Sequence, residues 1–154
     1  MWAVTRGPEL RGADRLFSSR GAGNEGVNAR CISSRATDGG VYTYVGWQYY
    51  SADAGLTVDE WNHIVVAFND EVGETYKNGI LIGRYDGFLP TTVQFPLLAP
   101  FTFGGDFPIS DPEREFNGDI DDVMFFDRAL THDEISLLYN KSVEQHKTGA
   151  PWRV

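Results

Sequence analysis

Cysteine is nearly absent from this sequence, because Cys31 is the one copy in 154 residues. A single thiol cannot form a disulfide within the chain, so stability has to come from a packed core. The chain also has no apolar run of transmembrane length, which argues against membrane insertion. Its opening segment, Met1-Trp2-Ala3-Val4, lacks the basic and apolar regions of a signal peptide, and we expect no such peptide in this chain.

Positive charge is scarce as well. The sequence has 13 Lys and Arg residues against 22 Asp and Glu residues, which gives a formal net charge of −9. A field of this sign repels a phosphate backbone on average, so nucleic acid is a poor partner, and an anionic membrane surface is disfavoured for the same reason. Solubility alone accounts for such acidity. A sharper interpretation is that some carboxylates hold a hard cation such as calcium.

Turn-forming and aromatic residues are plentiful. The chain has 17 glycines and 7 prolines, and 42% of its residues are hydrophobic, 14% of the total being aromatic. This composition supports a packed core and favours many short strands joined by tight turns over a helix bundle. The length fits one domain of ordinary size.

Alternating apolar and β-branched residues predict a series of strands. The segment 61–68 is apolar on both sides, which predicts a central position in the sheet. Asn78-Gly79, between two apolar segments, predicts a hairpin with a type I′ turn. The other strands are predicted at 16–20, 27–33, 41–47, 101–106 and 116–126, with loops at 86–100 and 106–115.

One helix is predicted near the C-terminal end of the sequence. Thr131 and Glu134 have the spacing of a capping box, in which each side chain bonds to the backbone amide of the other residue. Three apolar residues then share one face: Ile135, Leu138 and Tyr139. We expect the helix to end near Lys141 and the segment 145–154 to be extended.

Three stretches occur in order: 56–68 with Asp59-Glu60-Trp61-Asn62-His63, then Tyr76-Lys77-Asn78-Gly79, then 116–130 with Gly118-Asp119-Ile120-Asp121-Asp122. Together they resemble the laminin-G-like jelly-roll superfamily, which includes pentraxins and concanavalin-A-like lectin domains. The resemblance implies an all-β, antiparallel two-sheet jelly-roll sandwich with one short C-terminal helix. It implies a jelly-roll domain at 1–142 and an extended tail at 143–154.

The beginning of the sequence departs from the family pattern. Met1-Trp2-Ala3-Val4 resembles the family's second core strand, so the first strand of the usual sandwich is missing from the pattern. An open strand edge invites pairing with another chain. We therefore expect the C-terminal tail or a neighbouring subunit to fill the gap, as in a homo-oligomer or a larger particle.

The acidic residues of the closing strand are candidate metal ligands. Asp119 and Asp121 share one face of this strand by its period of two, while Asp122 lies on the other. The resemblance implies that the position of Asp121 helps to hold a structural calcium, so Asp119, Asp121 and Asp122 are the predicted ligands and calcium is the candidate cofactor. The alternative is that Asp119 and Asp121 are exposed and that Asp122 bonds to backbone amides near the helix.

A tyrosine-rich segment is the candidate ligand-binding surface. Aromatic faces stack on sugar rings, and their polar ends suit wet interfaces. We predict that Tyr44, Tyr49 and Tyr50 form a binding platform, although part of this aromatic segment has to belong to the core.

An acidic loop is a second candidate binding region, with Asp106, Asp111 and Glu113 placed to hold another calcium or to bond to sugar hydroxyls. The alternative for this loop is that its charges are simply solvated.

No catalytic residue is predicted. Enzymes of the same fold place an acid and a nucleophile on one strand, with two carboxyl groups about 5–5.5 Å apart in a cleft. Asp119 and Asp121 lie in the closing strand instead, and the pattern E-x-D-x-x-E is missing. His63 is interpreted as a satisfied structural histidine, and Cys31 has no base nearby in sequence to activate it.

The first functional hypothesis is a non-enzymatic module, assisted by calcium, that binds carbohydrate or a surface glycoprotein. The alternative is a structural subunit, such as an adhesion, virion surface or capsid-decoration protein, whose partners are neighbouring subunits. A glycoside hydrolase ranks third. The expected location is extracellular or on a virion surface.

Overall fold

Ten β-strands and one α-helix form from the residues that this computed structural model describes. The described residues are 1–6, 14–18, 30–34, 41–45, 48–52, 56–69, 71–86, 102–105 and 115–148. The elements are β1 Trp2–Thr5, β2 Asp14–Ser18, β3 Arg30–Ser34, β4 Val41–Val45, β5 Gln48–Ala52, β6 Asn62–Phe68, β7 Val72–Lys77, β8 Ile80–Asp86, β9 Thr102–Phe103, β10 Gly118–Asp121 and α1 His132–Thr148.

The strands pair into two antiparallel sheets of five strands each, within the described ranges. The first sheet has the order β10-β1-β6-β7-β8 and the second has the order β5-β4-β3-β2-β9. This arrangement confirms the predicted antiparallel two-sheet sandwich with a helix near the C-terminal end. It also confirms the central position of β6, which is the third of the five strands in its sheet.

The core lies between the two sheets, and its apolar clusters join one sheet to the other. Ala3 of β1 packs with Leu16 of β2, and both are 0% exposed. Val41 of β4 packs with Ile64 of β6 in a second cluster. Full burial of a side chain such as Leu or Ile stabilises the fold by about 1.5–3 kcal/mol, so these contacts hold the two sheets face to face.

The hairpin of β7 and β8 forms as predicted. Asn78 and Gly79 have φ angles of 51° and 78°, which are the two positive values that a type I′ turn requires. The Asn78 side chain also fixes the hairpin to β6, because its Oδ1 accepts a hydrogen bond of 2.9 Å from the backbone N–H of His63.

The prediction of a long final strand at 116–126 was wrong. β10 covers Gly118–Asp121 and ends where Asp122 adopts a left-handed conformation with φ 48°. The Asp121 carboxylate stabilises this turn by accepting a hydrogen bond of 2.8 Å from the N–H of Asp122. The apolar residues after it, Met124 and Phe125, are more than half exposed, so their hydrophobicity does not reflect a buried strand.

Helix α1 begins with the predicted capping box. The N–H of Glu134 donates to Thr131 Oγ1 over 3.3 Å, and the N–H of Thr131 donates to Glu134 Oε2 over 2.9 Å. Ile135, which is 0% exposed, packs against the outer face of the first sheet with Tyr76 and Leu130.

The predicted end of this helix near Lys141 was wrong, because α1 continues to Thr148. The segment after Lys141 is polar and shows no apolar stripe, but its contacts with Trp2 keep it helical. The Trp2 Nε1–H donates to Ser142 Oγ over 3.0 Å, and the His146 ring stacks on Trp2. The predicted extended tail is therefore helical as far as Thr148, and residues 149–154 lie outside the described part.

The edges of the first sheet are β10 and β8, while β1 is an interior strand. The idea that a tail or a neighbouring subunit fills a missing first strand stays a prediction. The predicted loops at 86–100 and 106–115 fall almost wholly outside the described residues.

Candidate functional site

The tyrosine segment occupies strands β4 and β5 of the second sheet. Backbone register pairs Tyr44 with Tyr49 and Thr43 with Tyr50. Thr43 is buried, and its hydroxyl lies 3.4 Å from that of Thr75 in the opposite sheet. Since successive residues alternate between faces, positions 44 and 49 lie on the outer face of the sheet and position 50 lies on the inner face. The register therefore brings two of the three predicted platform residues together.

The predicted residues of the acidic loop, Asp106, Asp111 and Glu113, lie outside the described residues.

The three predicted calcium ligands have basic side chains as neighbours. Asp119 forms an exposed ion pair with Arg6 at 2.9 Å. Asp121 Oδ2 and Asp122 Oδ2 lie 3.5 Å and 3.7 Å from His146 Nε2. Among the described residues, no group of three or more His, Cys, Asp or Glu side chains is arranged to hold a metal ion. This donor set by itself does not fit a calcium centre, and calcium binding stays a prediction.

Asp122 differs from its two neighbours because it is partly buried. Its Oδ2 is enclosed and has no hydrogen-bond partner in the described part of the chain. Burial is the main cause that raises the pKa of this carboxyl, followed by the charge of Asp121. Asp122 therefore faces the inside of the molecule, next to the last turns of α1.

A buried cluster of rings connects β1, β6 and α1. The rings of Trp2 and His146 stack with centroids 4.3 Å apart and an angle of 8° between planes. His63 and Tyr139 contact the same indole at 5.1 Å and 5.8 Å. The sequence does not predict this cluster, since nothing in the spacing of Trp2 and His146 indicates that they meet.

His63 has a structural position, being 5% exposed in this cluster. It is not fully satisfied, however, because its Nδ1 has no hydrogen-bond partner among the described residues. Burial, followed by nearby positive charge that includes His146, lowers the pKa of His63 to about 3. The ring is therefore neutral at physiological pH, which suits a packing role.

A cleft of about 310 Å³ lies on the outer face of the first sheet, beside the start of α1. Thr75 of β7 points to the second sheet, so its neighbours Glu74 and Tyr76 lie on the outer face. Glu74 Oε1 accepts a hydrogen bond of 2.6 Å from Arg84, and Glu74 Oε2 accepts one of 2.8 Å from the Tyr76 hydroxyl. Ala67 and Leu130 are buried apolar residues in its lining.

The sequence does not predict this cleft, because the cleft depends on a register shift between β7 and β8. A regular hairpin around Asn78-Gly79 would pair Glu74 with Gly83. An irregularity between Thr75 and Tyr76 moves the pairing by one residue, so that Glu74 pairs with Arg84. This shift creates the ion pair inside the cleft.

An apolar patch is exposed where β9 approaches the segment after β10. Phe103, Met124, Phe125 and Phe126 are between 46% and 64% exposed. The ring of Phe125 contacts Phe17 at 5.5 Å and Phe103 at 6.2 Å.

No helix among the described residues combines the length and apolarity that crossing a membrane requires.

Several solved structures share the fold at low sequence identity. The CBM40 domain of the Ruminococcus gnavus IT-sialidase, solved with bound alpha2,3 sialyllactose, matches with a TM-score of 0.72 and 15% identity over 90% of this chain and 79% of that chain. The native heptameric SAP-like pentraxin from Limulus polyphemus matches with a TM-score of 0.65 and 18% identity over 90% of this chain and 66% of that chain. A candidate carbohydrate-binding protein from Bacteroides ovatus matches with a TM-score of 0.60 and 16% identity.

The match to the Bacteroides protein covers 88% of this chain and 43% of that chain. The chain therefore spans less than half the length of that protein and about two thirds of the pentraxin. A comparison with curated proteins gave no significant match.

A laminin G family model, described as the concanavalin A-like lectin/glucanases superfamily, matches residues 3–136. The match covers the strands of both sheets and the beginning of α1, and it confirms the resemblance seen in the sequence. This chain belongs to the laminin-G-like family of the concanavalin A-like lectin/glucanases superfamily.

Proposed function

We propose that this chain is a non-catalytic carbohydrate-binding module that works outside the cell. The observation that carries the proposal is the pairing of Tyr44 with Tyr49 on the outer face of the second sheet. Tyrosine rings stack on sugar rings and tyrosine hydroxyls bond to sugar edges, so two tyrosines at paired strand positions are the residue type that such a site requires. The described relatives support this, because one of them was solved with a bound sialyllactose.

The described carboxylates support a binding role over hydrolysis. A glycosidase needs one carboxylic acid that stays protonated and a second carboxylate about 5–9.5 Å away. Glu74 is held by Arg84 at 2.6 Å, and Asp119 is held by Arg6 at 2.9 Å. Each of these two carboxylates therefore forms an ion pair with a guanidinium and is not paired with a second carboxyl group in the arrangement that a glycosidase uses.

The test is glycan binding by Tyr44→Ala and Tyr49→Ala variants, measured by calorimetry after a glycan array has selected a ligand. Each substitution should weaken binding by roughly two- to twelvefold, since an aromatic contact contributes about 0.5–1.5 kcal/mol. The matched control is Phe126→Ala, which removes an aromatic ring that is 50% exposed elsewhere on the surface. Repeating the titration with a chelator tests the predicted assistance by calcium.

Full glycan binding by the double variant would contradict the proposal. A chain that binds no glycan and forms a stable oligomer in native mass spectrometry would favour the assembly role instead. The exposed apolar patch around Phe125 supports that alternative, because large exposed apolar patches mark interaction surfaces.

A further inference from the structure

An open cleft lies beside the start of α1. Its volume of about 310 Å³ is at the small end of the range for ligand pockets, about 300–1,000 Å³. It opens on the outer face of the first sheet and is therefore separate from the tyrosine face of the second sheet. A volume of this size suits a single sugar unit.

The floor of the cleft is apolar. Ala67 of β6 and Leu130 are 7% and 8% exposed, and Val72 and Ala129 extend the same surface. The C–H groups on one side of a pyranose ring form an apolar face that can lie against this floor. Contact between the two would remove apolar surface from water on both partners.

The wall of the cleft offers both donors and acceptors. The Arg84 guanidinium has five N–H donors, of which Nη1 donates to Glu74 and Nε faces Asp86, so the others can serve a ligand. Asn69 Oδ1 accepts from the N–H groups of Glu71 and Val72, which leaves its amide nitrogen as a donor. Each Glu74 oxygen accepts one hydrogen bond and retains capacity for another. Such a mixed set fits hydroxyl groups, which both donate and accept.

The charge of the cleft selects against acidic ligands. Arg84 is already compensated, by Glu74 at 2.6 Å and by Asp86 at 3.3 Å. Two carboxylates around one guanidinium leave a negative excess, and the whole chain has a formal charge of −9. A ligand that carries its own carboxylate would be repelled, whereas a neutral sugar would not.

From this combination we infer that the cleft is a second carbohydrate subsite, specific for a neutral pyranose. The sugar lies with its apolar face on Ala67 and Leu130, and its hydroxyls bond to Glu74, Arg84 and Asn69. The inference rests on the proposed carbohydrate-binding function and adds a location and a ligand class to it.

The experiment is a titration of the ¹⁵N-labelled chain, followed by amide chemical shifts. The probes are the neutral methyl glycosides of glucose, galactose and mannose, with N-acetylneuraminic acid as the acidic probe. At least one neutral glycoside should shift the amides of Glu74, Arg84 and Leu130, and the acid should leave them in place.

Arg84→Gln should weaken this binding by roughly tenfold or more, because hydrogen bonds to a charged group are worth about 1.5–3 kcal/mol. The matched control is Arg6→Gln. Arg6 has the same side-chain exposure as Arg84, 52%, and a comparable ion pair with Asp119. Glu74→Gln keeps the shape of the cleft, removes one negative charge, and should admit the acidic probe.

The outcomes separate this inference from the proposed function. Shifts confined to the amides of β4 and β5 would overturn the cleft site and leave the carbohydrate-binding function standing. Equal responses to neutral and acidic probes would overturn the neutral specificity. An absence of shifts with every sugar would overturn both.

Discussion

Trp2 is the residue through which the two ends of the described fold are joined. Its indole is 1% exposed, stacks on His146 and donates a hydrogen bond of 3.0 Å to Ser142. The interaction connects an interior strand of the first sheet to the last turns of α1. No local sequence pattern predicts it, because the contacting residues are separated by 140 positions or more.

Trp2→Ala should lower the free energy of unfolding by about 3–5 kcal/mol, since it leaves a cavity and removes the donor that bonds to Ser142 Oγ. That is a large part of the total for a domain, which is about 5–15 kcal/mol. Trp2→Phe should cost less, because it retains the stack on His146 and loses only the indole N–H and part of the ring. Urea unfolding followed by circular dichroism measures both. A loss below about 1 kcal/mol for Trp2→Ala would show that the cluster is not part of the stable core.

Thr131 shows at the residue scale how the helix starts. Thr131→Ala should lower the free energy of unfolding by about 0.5–2 kcal/mol, because the N–H of Glu134 loses its acceptor. Thr131→Ser keeps the hydroxyl and is the matched control. If both variants unfold at the same urea concentration, the capping box does not stabilise the helix.

At the scale of elements, the sequence predicts best where a local rule applies. The Asn78-Gly79 turn and the start of α1 depend on residues within four positions of each other, and both form as predicted. The end of α1 depends on contacts with Trp2, so its polar sequence after Lys141 does not indicate where it ends. The final strand was predicted too long because apolar residues after Asp122 resemble a buried strand while being exposed.

The candidate sites follow the same rule: what depends on alternation within one strand can be predicted from the sequence, and what depends on pairing between strands cannot. Alternation along β4 places position 44 on a face, but the partner of each tyrosine depends on how β4 and β5 align. That alignment pairs Tyr50 with the buried Thr43, so position 50 lies on the inner face and positions 44 and 49 lie on the outer face. The cleft depends on the register shift between β7 and β8, and the residue types of that hairpin do not indicate this shift.

Gly79 occupies a position where the lack of a side chain is required. Gly79 has a φ of 78°, and an added Cβ would lie 3.3 Å from Tyr139 Cδ1. The turn of the hairpin therefore approaches α1 closely, and the hairpin and the helix fix each other's position. This contact helps to place the start of α1 beside β7, where the cleft forms.

At the scale of the whole molecule, two sheets and one helix are held by three apolar clusters in the described residues. Two of the clusters lie between the sheets, and the third lies under α1. The tyrosine face and the cleft are on the outer faces of different sheets. If both proposed sites bind sugar, the chain would hold a glycan at two places at once, and linked sites of this kind raise the apparent affinity for a polymeric glycan.

Acid should destabilise the whole fold through His63. Burial lowers the pKa of His63 from 6.5 to about 3, so between these values the unfolded chain binds a proton that the folded chain does not. The contribution of His63 to stability is then fully present above pH 6.5 and decreases as the pH falls towards 3, by up to about 1.4 kcal/mol per pH unit. The Met1 amine, whose pKa burial lowers from 8.0 to about 6, adds a decrease of its own between these two values. Asp122 acts in the opposite direction, because burial raises its pKa and protonation relieves the cost of its buried charge.

His63→Gln should flatten this dependence when urea midpoints at pH 7 and pH 5 are compared. The matched control is His132→Gln, since His132 is an exposed histidine at the first position of α1. Its curve should follow that of the unmodified protein, with lower stability at pH 5. Equal slopes for the unmodified protein and His63→Gln would mean that the ring of His63 takes up its proton without unfolding, which requires a water or a polar group beside its Nδ1.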